Sequence, residues 1–170
     1  MSPEATPPDA QVAQDVALLL DENARARAAL HAAIEGVPEA RLLDRWFEGW
    51  SLREIIAHVA AWEDGFAAAL ESAVRGERPV IPGYENGLDD ATDRFNARVV
   101  AALGETPWTE IRMRLQASAA RHDAALRSVA ASLTADRFEA GRSARRLASA
   151  ARHYEEHTPD ILAWRRREGI

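Results

Sequence analysis

WSLREIIAHVAAWEDG, residues 50–65, carries both a helix start and a helical stripe. Ser51 and Glu54 have capping-box spacing: the hydroxyl takes an orphan first-turn amide and the carboxylate reaches back to the Ser51 amide. Trp50, just before the cap, occupies the staple position. Ile55, Ile56, Val59, Trp62, Phe66 and Leu70 then recur at helical spacing, which predicts a helix to about Arg75 with one apolar face. His58 lies beside that face, three residues from Ile55 and four from Trp62, so it points to the interior or its margin.

The same pattern repeats outward. Asp9 predicts the N-cap of a first helix of about 25 residues ending near Gly36-Val37-Pro38, with Val12, Val16, Leu19, Leu20, Leu30 and Ile34 on its apolar face. Leu42, Leu43, Trp46, Phe47 and Trp50 should tuck the connection 36–50 onto the core. GERPVIPGYENG (76–87) is a loop marked by Pro79, Pro82-Gly83 and Asn86-Gly87, and it is long for a bundle connection. A third helix is expected over 88–103, with Phe95, Val99, Val100 and Leu103. A fourth should run from Thr106, an N-cap type with Pro107 in the first turn, to about Leu133, with Trp108, Ile111, Leu115, Leu126 and Val129 inward. After a connection at 134–142, a last helix spans Ser143 to Arg167, where Thr158 and Pro159 predict a renewed cap or a kink. No strand pattern and no internal repeat is present. The expectation is an all-α fold: an antiparallel four-helix bundle with additional short helical segments, forming a single domain over 9–170 after a loose tail at 1–8.

Composition narrows the chemistry. With 170 residues the chain suits one domain with a proper core. It has no cysteine, which excludes disulfides, thiolate ligands and a cysteine nucleophile, so a metal would be held by His and carboxylate. A net charge of -6 argues against a nucleic-acid binder, and the run Arg142, Arg145, Arg146 reads as a solvated face. No secretory apolar segment follows Met1 and LLL at 18–20 is too short to span a bilayer, so a soluble cytoplasmic protein without a membrane partner is expected.

Five histidines are present. RHYEEHTPDILAWRR (152–166) places His153 and His157 four residues apart, on one face of a helix. With His58 from a distant helix they could form a facial set of imidazoles that leaves an open position, the pattern of a catalytic metal site. Neutral imidazole suits zinc, nickel, iron or copper. The competing reading is two partly exposed helix histidines and a satisfied histidine at the core margin. Glu63, Asp64, Glu155, Glu156 and Asp160 offer acceptors for the ligand rings or a group that moves a proton, and Glu63 and Glu156 are the two singled out for catalysis. His31 and His122 read as surface or packing residues, and Trp62 and Trp164 as core residues or pocket walls.

WSLREIIAHVAAWEDG followed by HYEEHTPDILAWRR resembles the DinB/YfiT-like superfamily, and Trp62, Phe95-Asn96 and the DILAW segment resemble its ClbS/DfsB branch. The likeness covers about 42–168. It implies His58, His153 and His157 as ligands of a divalent metal, nickel, zinc or iron, and often a homodimer. It also implies a place among stress-response and detoxification proteins. Some relatives are transferases or isomerases using bacillithiol or mycothiol, and others modify reactive metabolites, including a hydrolase that opens a strained ring.

The leading expectation is therefore a metal-dependent hydrolase or thiol S-transferase. It would activate water or a low-molecular-weight thiol against an electrophilic small molecule. The alternative is a non-catalytic, stress-associated bundle that sequesters a small molecule around a vestigial histidine site.

Overall fold

Helix α1 spans Ala10–Ile34, and the Asp9 side chain caps it by accepting from the Gln11 and Val12 amides. The computed structural model describes residues 9–134 and 147–170; the expected tail at 1–8, most of the connection 134–142 and the start of the last helix at Ser143 lie outside the described residues, as do Arg142, Arg145 and Arg146. Helix α2 (Leu52–Val74) opens with the full Ser51/Glu54 capping box. Helix α3 covers Ala91–Leu103, α4 covers Trp108–Ser132 and α5 covers Ala151–Glu168. A short 3-10 turn at Glu39–Arg41 lies between α1 and α2. The fold is all-α. Among the described residues the only β-type pairing is an isolated bridge between Phe47 and Trp50.

Four helices, α1, α2, α4 and α5, surround the core, and α3 leans on α2. Arg53 meets the Thr106 carbonyl, Glu63 meets Ser118, and Glu71 meets Arg121, so α2 and α4 run parallel. Asn23 meets Ala151 and the Ala33 carbonyl meets Arg165, so α1 and α5 also run parallel. The bundle is thus up, down, down, up rather than alternating at every step. The physical reason is α3, which with its loops carries the chain back along the bundle before α4 begins.

Two apolar cores fill the interior. One is aliphatic: Val12, Val16, Ala67, Leu70, Ala125, Leu126, Val129, Leu133 and Ala148. The other adds aromatic rings: Leu30, Ile34, Leu52, Ile55, Ile56, Val59, Ile111 and Leu115 pack with Tyr154, Ile161 and Trp164. Full burial of each large side chain stabilises by roughly 1.5–3 kcal/mol relative to exposure.

Several boundaries differ from the pattern reading. Helix α4 begins at Trp108 with Pro107 as the capping residue, because Thr106 is drawn into a turn by its amide bond to the Leu103 carbonyl. Helix α3 starts at Ala91, three residues late. Leu43 is 65% exposed while Leu42 is buried, since a tight turn can send only one of two adjacent side chains inward. Helix α5 begins at Ala151, where the buried Asn23 side chain donates to the Ala148 carbonyl and accepts from the Ala151 amide, taking both groups out of a continuous helix. Pro159 lies inside an unbroken α5. Thr158 does not restart the helix; its hydroxyl donates to the Tyr154 carbonyl at 2.7 Å. Loop 76–87 folds against the bundle, with Ile81 pressed onto Gly65 where a Cβ would come within 2.7 Å of Ile81 Cγ2.

Candidate metal centre

His58 projects from the second turn of α2, and His153 and His157 project from the first two turns of α5. Because α5 is uninterrupted through Pro159, the four-residue spacing does put both rings on one face. One ligating nitrogen from each of His58, His153 and His157 lies within 4.8 Å of the others. His153 Nε2 stands 2.8 Å from His58 Nε2. Ring centroids are 4.7 Å apart for His58–His153, 4.8 Å for His58–His157 and 5.1 Å for His153–His157. His58 and His157 are buried and His153 is partly so.

A two-residue turn frames this group. Glu48 and Gly49 both have positive φ, 48° and 86°, as a tight hairpin turn requires. For Glu48 that backbone is unfavourable by about 1 kcal/mol. The turn pairs Phe47 with Trp50 through reciprocal backbone bonds of 3.3 and 2.7 Å. Phe47 meets the His157 ring edge-on at 5.6 Å, and Trp50 meets His58 edge-on at 5.1 Å. Trp62, whose indole donates to Asn96, stands edge-on to His153 at 6.4 Å. Trp164 serves as core: it is buried and stacks on Trp46 at 4.9 Å.

These surroundings keep the rings neutral. Burial, then the neighbouring His153 and His157, lower His58 to about 2, and the Ile55 carbonyl opposes this only weakly. Burial, then His157 and Arg152, lower His153 to about 3. Burial also lowers His157, against the pull of Glu156 and Asp160. Neutral imidazole is the ligand form, and the opposed Nε2 atoms of His58 and His153 can share one proton at most, so the group retains a free lone pair. Nδ1 of His58 and Nδ1 of His157 are buried without hydrogen-bond partners. Three converging neutral imidazoles with a lone pair free form a donor set that fits a divalent metal ion.

No described carboxylate joins the three rings. Glu63 is turned to a different task. It is 1% exposed and accepts from Tyr154 Oη at 2.5 Å, Ser118 Oγ at 3.1 Å and Arg27 Nη2 at 3.0 Å. Arg27 also binds Asp123 through two bonds. Burial alone would lower Arg27, but the bonds to Asp123 and Tyr154 and the Glu63 charge outweigh it and raise it. Burial and the Glu63 charge push the Tyr154 hydroxyl up, so it stays a proton donor. Glu156 is exposed and pairs with Arg152 at 3.5 Å. Asp64 pairs with Arg121. His122 is fully buried, with Nε2 donating to the Leu147 carbonyl at 2.8 Å, so it is a packing residue.

The residues that pattern reading missed are Asn23, Arg27 and Tyr154. Asn23 sits seven residues after Val16, a polar side chain on an apolar stripe. Such a position needs a buried partner, which was the available signal.

Neither a curated protein nor a solved structure matches the chain. A family model described as the DinB superfamily matches residues 22–160. The matched span includes all three histidines and most of the bundle that brings them together, and the chain belongs to the DinB superfamily.

Proposed function

We propose that His58, His153 and His157 hold a divalent metal, nickel, zinc or iron, and that the protein is a detoxification enzyme of the ClbS/DfsB kind. The observation that carries this reading is the convergence of three neutral imidazoles from two helices, with two of their nitrogens 2.8 Å apart. When bound, the ion would supply Lewis acidity towards water or a low-molecular-weight thiol. The chain's own part is to hold neutral nitrogens at the site and to exclude bulk water with Phe47, Trp50 and Trp62. An electrophilic small molecule is the substrate class. Glu156, exposed, paired only with Arg152 on the surface and close enough to act on His157 by its charge, is the carboxylate assigned to move a proton. Glu63 already accepts three donors and is better suited to positioning. A homodimer, a cytoplasmic location and a role in stress belong to the same proposal.

Untagged protein assayed for bound metal tests it, because a His tag would carry metal itself. Stoichiometric nickel, zinc or iron is expected, together with metal-dependent turnover of an epoxide or cyclopropane electrophile, with or without added thiol. His153→Ala should lower metal affinity at least about 100-fold while helicity is kept, since packing rather than metal holds a domain of this size. Absence of metal uptake near neutral pH removes the enzyme reading.

One observation favours the non-catalytic alternative. A cavity of about 480 Å³ lies between α2, α3 and α4, lined by Ala57, Ala60, Ala61, Val99, Leu103 and Ile111 among others, and none of the three histidines borders it. A bundle that sequesters an apolar molecule there would bind it equally well after all three histidines are replaced.

A further inference from the structure

The ligands come from two helices that are not each other's main partners. Helix α2 packs chiefly on α4, and α5 chiefly on α1, while α2 and α5 meet over a short stretch. Interlocking side chains fix helix register only where the contact is extensive. Another device must hold His58 opposite His153 and His157. Tyr154 directly follows His153 on α5, and its hydroxyl donates to Glu63 on α2 at 2.5 Å. Both groups are buried, Tyr154 at 0% and Glu63 at 1% exposure. A bond to an ionised carboxylate in such a site is short, directional and stronger than a neutral one. Arg27 holds the same carboxylate from α1 through an ion pair at 3.0 Å, so it cannot swing to follow a displaced tyrosine.

Resting on the metal-site reading, we propose that Tyr154 and Glu63 are positioning residues: their hydrogen bond sets the register between α2 and α5 and thereby the spacing of the three imidazoles. The hydroxyl touches neither the metal nor a substrate. Its effect is to keep His153 Nε2 opposite His58 Nε2. Outer partners that orient ligands commonly govern metal affinity by about 10–100-fold.

The test compares two cuts in one network. Tyr154→Phe removes the link between the ligand helices and keeps the buried ring. Ser118→Ala removes a donor to the same carboxylate from a helix that bears no ligand. With cobalt(II) as the probe, Tyr154→Phe should weaken binding about 10-fold or more and alter the visible d–d spectrum. Ser118→Ala should bind cobalt as the unaltered protein does, with the same spectrum. Glu63→Gln keeps the acceptor oxygen but makes the bond neutral, so it should give a smaller loss in the same direction, and it carries the test if Tyr154→Phe does not fold. Imidazole nitrogen shifts of His58 and His153 in metal-free protein provide a second readout: Tyr154→Phe should move them and Ser118→Ala should not. If the unaltered protein takes up no cobalt, the metal reading falls, and the metal-free shifts still decide the positioning role. Unchanged affinity and shifts in Tyr154→Phe, or equal changes in Ser118→Ala, overturn the proposal.

Discussion

The two halves of this bundle share α1, α2 and α4, only one of them includes α5, and they obey different rules. In the half around Leu70, Leu126 and Val129 the described residues of the buried cluster are all aliphatic. In the half around Leu52, Ile55 and Trp164 the apolar side chains share the interior with Tyr154 and border the three histidines. Between the halves, each core helix places polar groups inward: Asn23 and Arg27 on α1, Glu63 on α2, Ser118, His122 and Asp123 on α4, and Tyr154 on α5. A uniform aliphatic core would be stable, but it would leave rotation and sliding of its helices loosely specified. The bonds of a buried polar belt form in one arrangement only, so the belt selects that arrangement.

That contrast can be broken most severely at its centre. Arg27→Met should destabilise by about 3–5 kcal/mol, because it leaves the buried Glu63 carboxylate without its cation. Urea unfolding measures the loss, and a change below about 1 kcal/mol would mean that the belt contributes little. In the aliphatic half, Leu126→Ala should cost about 2–5 kcal/mol through lost burial and a residual cavity. The comparison is sharpened by metal affinity, which Leu126→Ala should leave unaltered in the folded fraction.

A smaller effect depends on pH. Burial holds His122 below its ordinary value of 6.5. As acid is added, the unfolded chain binds the proton first, so the stabilising contribution is full above about 6.5 and declines as pH falls towards the lowered folded value. His122→Gln should flatten the pH dependence of stability below that point by up to about 1.4 kcal/mol per pH unit. Urea midpoints at neutral pH and about one unit below 6.5 check the sign; a steeper dependence in the variant contradicts it.

Much of this was legible in the sequence. The Ser51/Glu54 box and the Asp9 cap act through local bonds, so short-range pattern located both helix starts. The apolar stripes named Leu30, Ile55, Leu115 and Leu126 correctly because burial follows helical period. The convergence of His58, His153 and His157 was foreseen from spacing and from the family likeness together. What pattern could not supply depends on partners distant in sequence. Asn23 takes the Ala151 amide at the start of α5 from 128 residues away, and no local propensity near Ala151 records that. The parallel course of α2 and α4 depends on where α3 sends the chain. Glu63 reads equally as a proton carrier or as a tether until its three donors, from α1, α4 and α5, are known.

His58 and His153 meet across 95 residues of chain. A ribosome adding about 5–20 residues per second has threaded α1 to α4 before α5 emerges. During that interval His58 has neither of the two imidazoles that it meets in the finished bundle. The three-imidazole group is therefore complete only once α5 has docked.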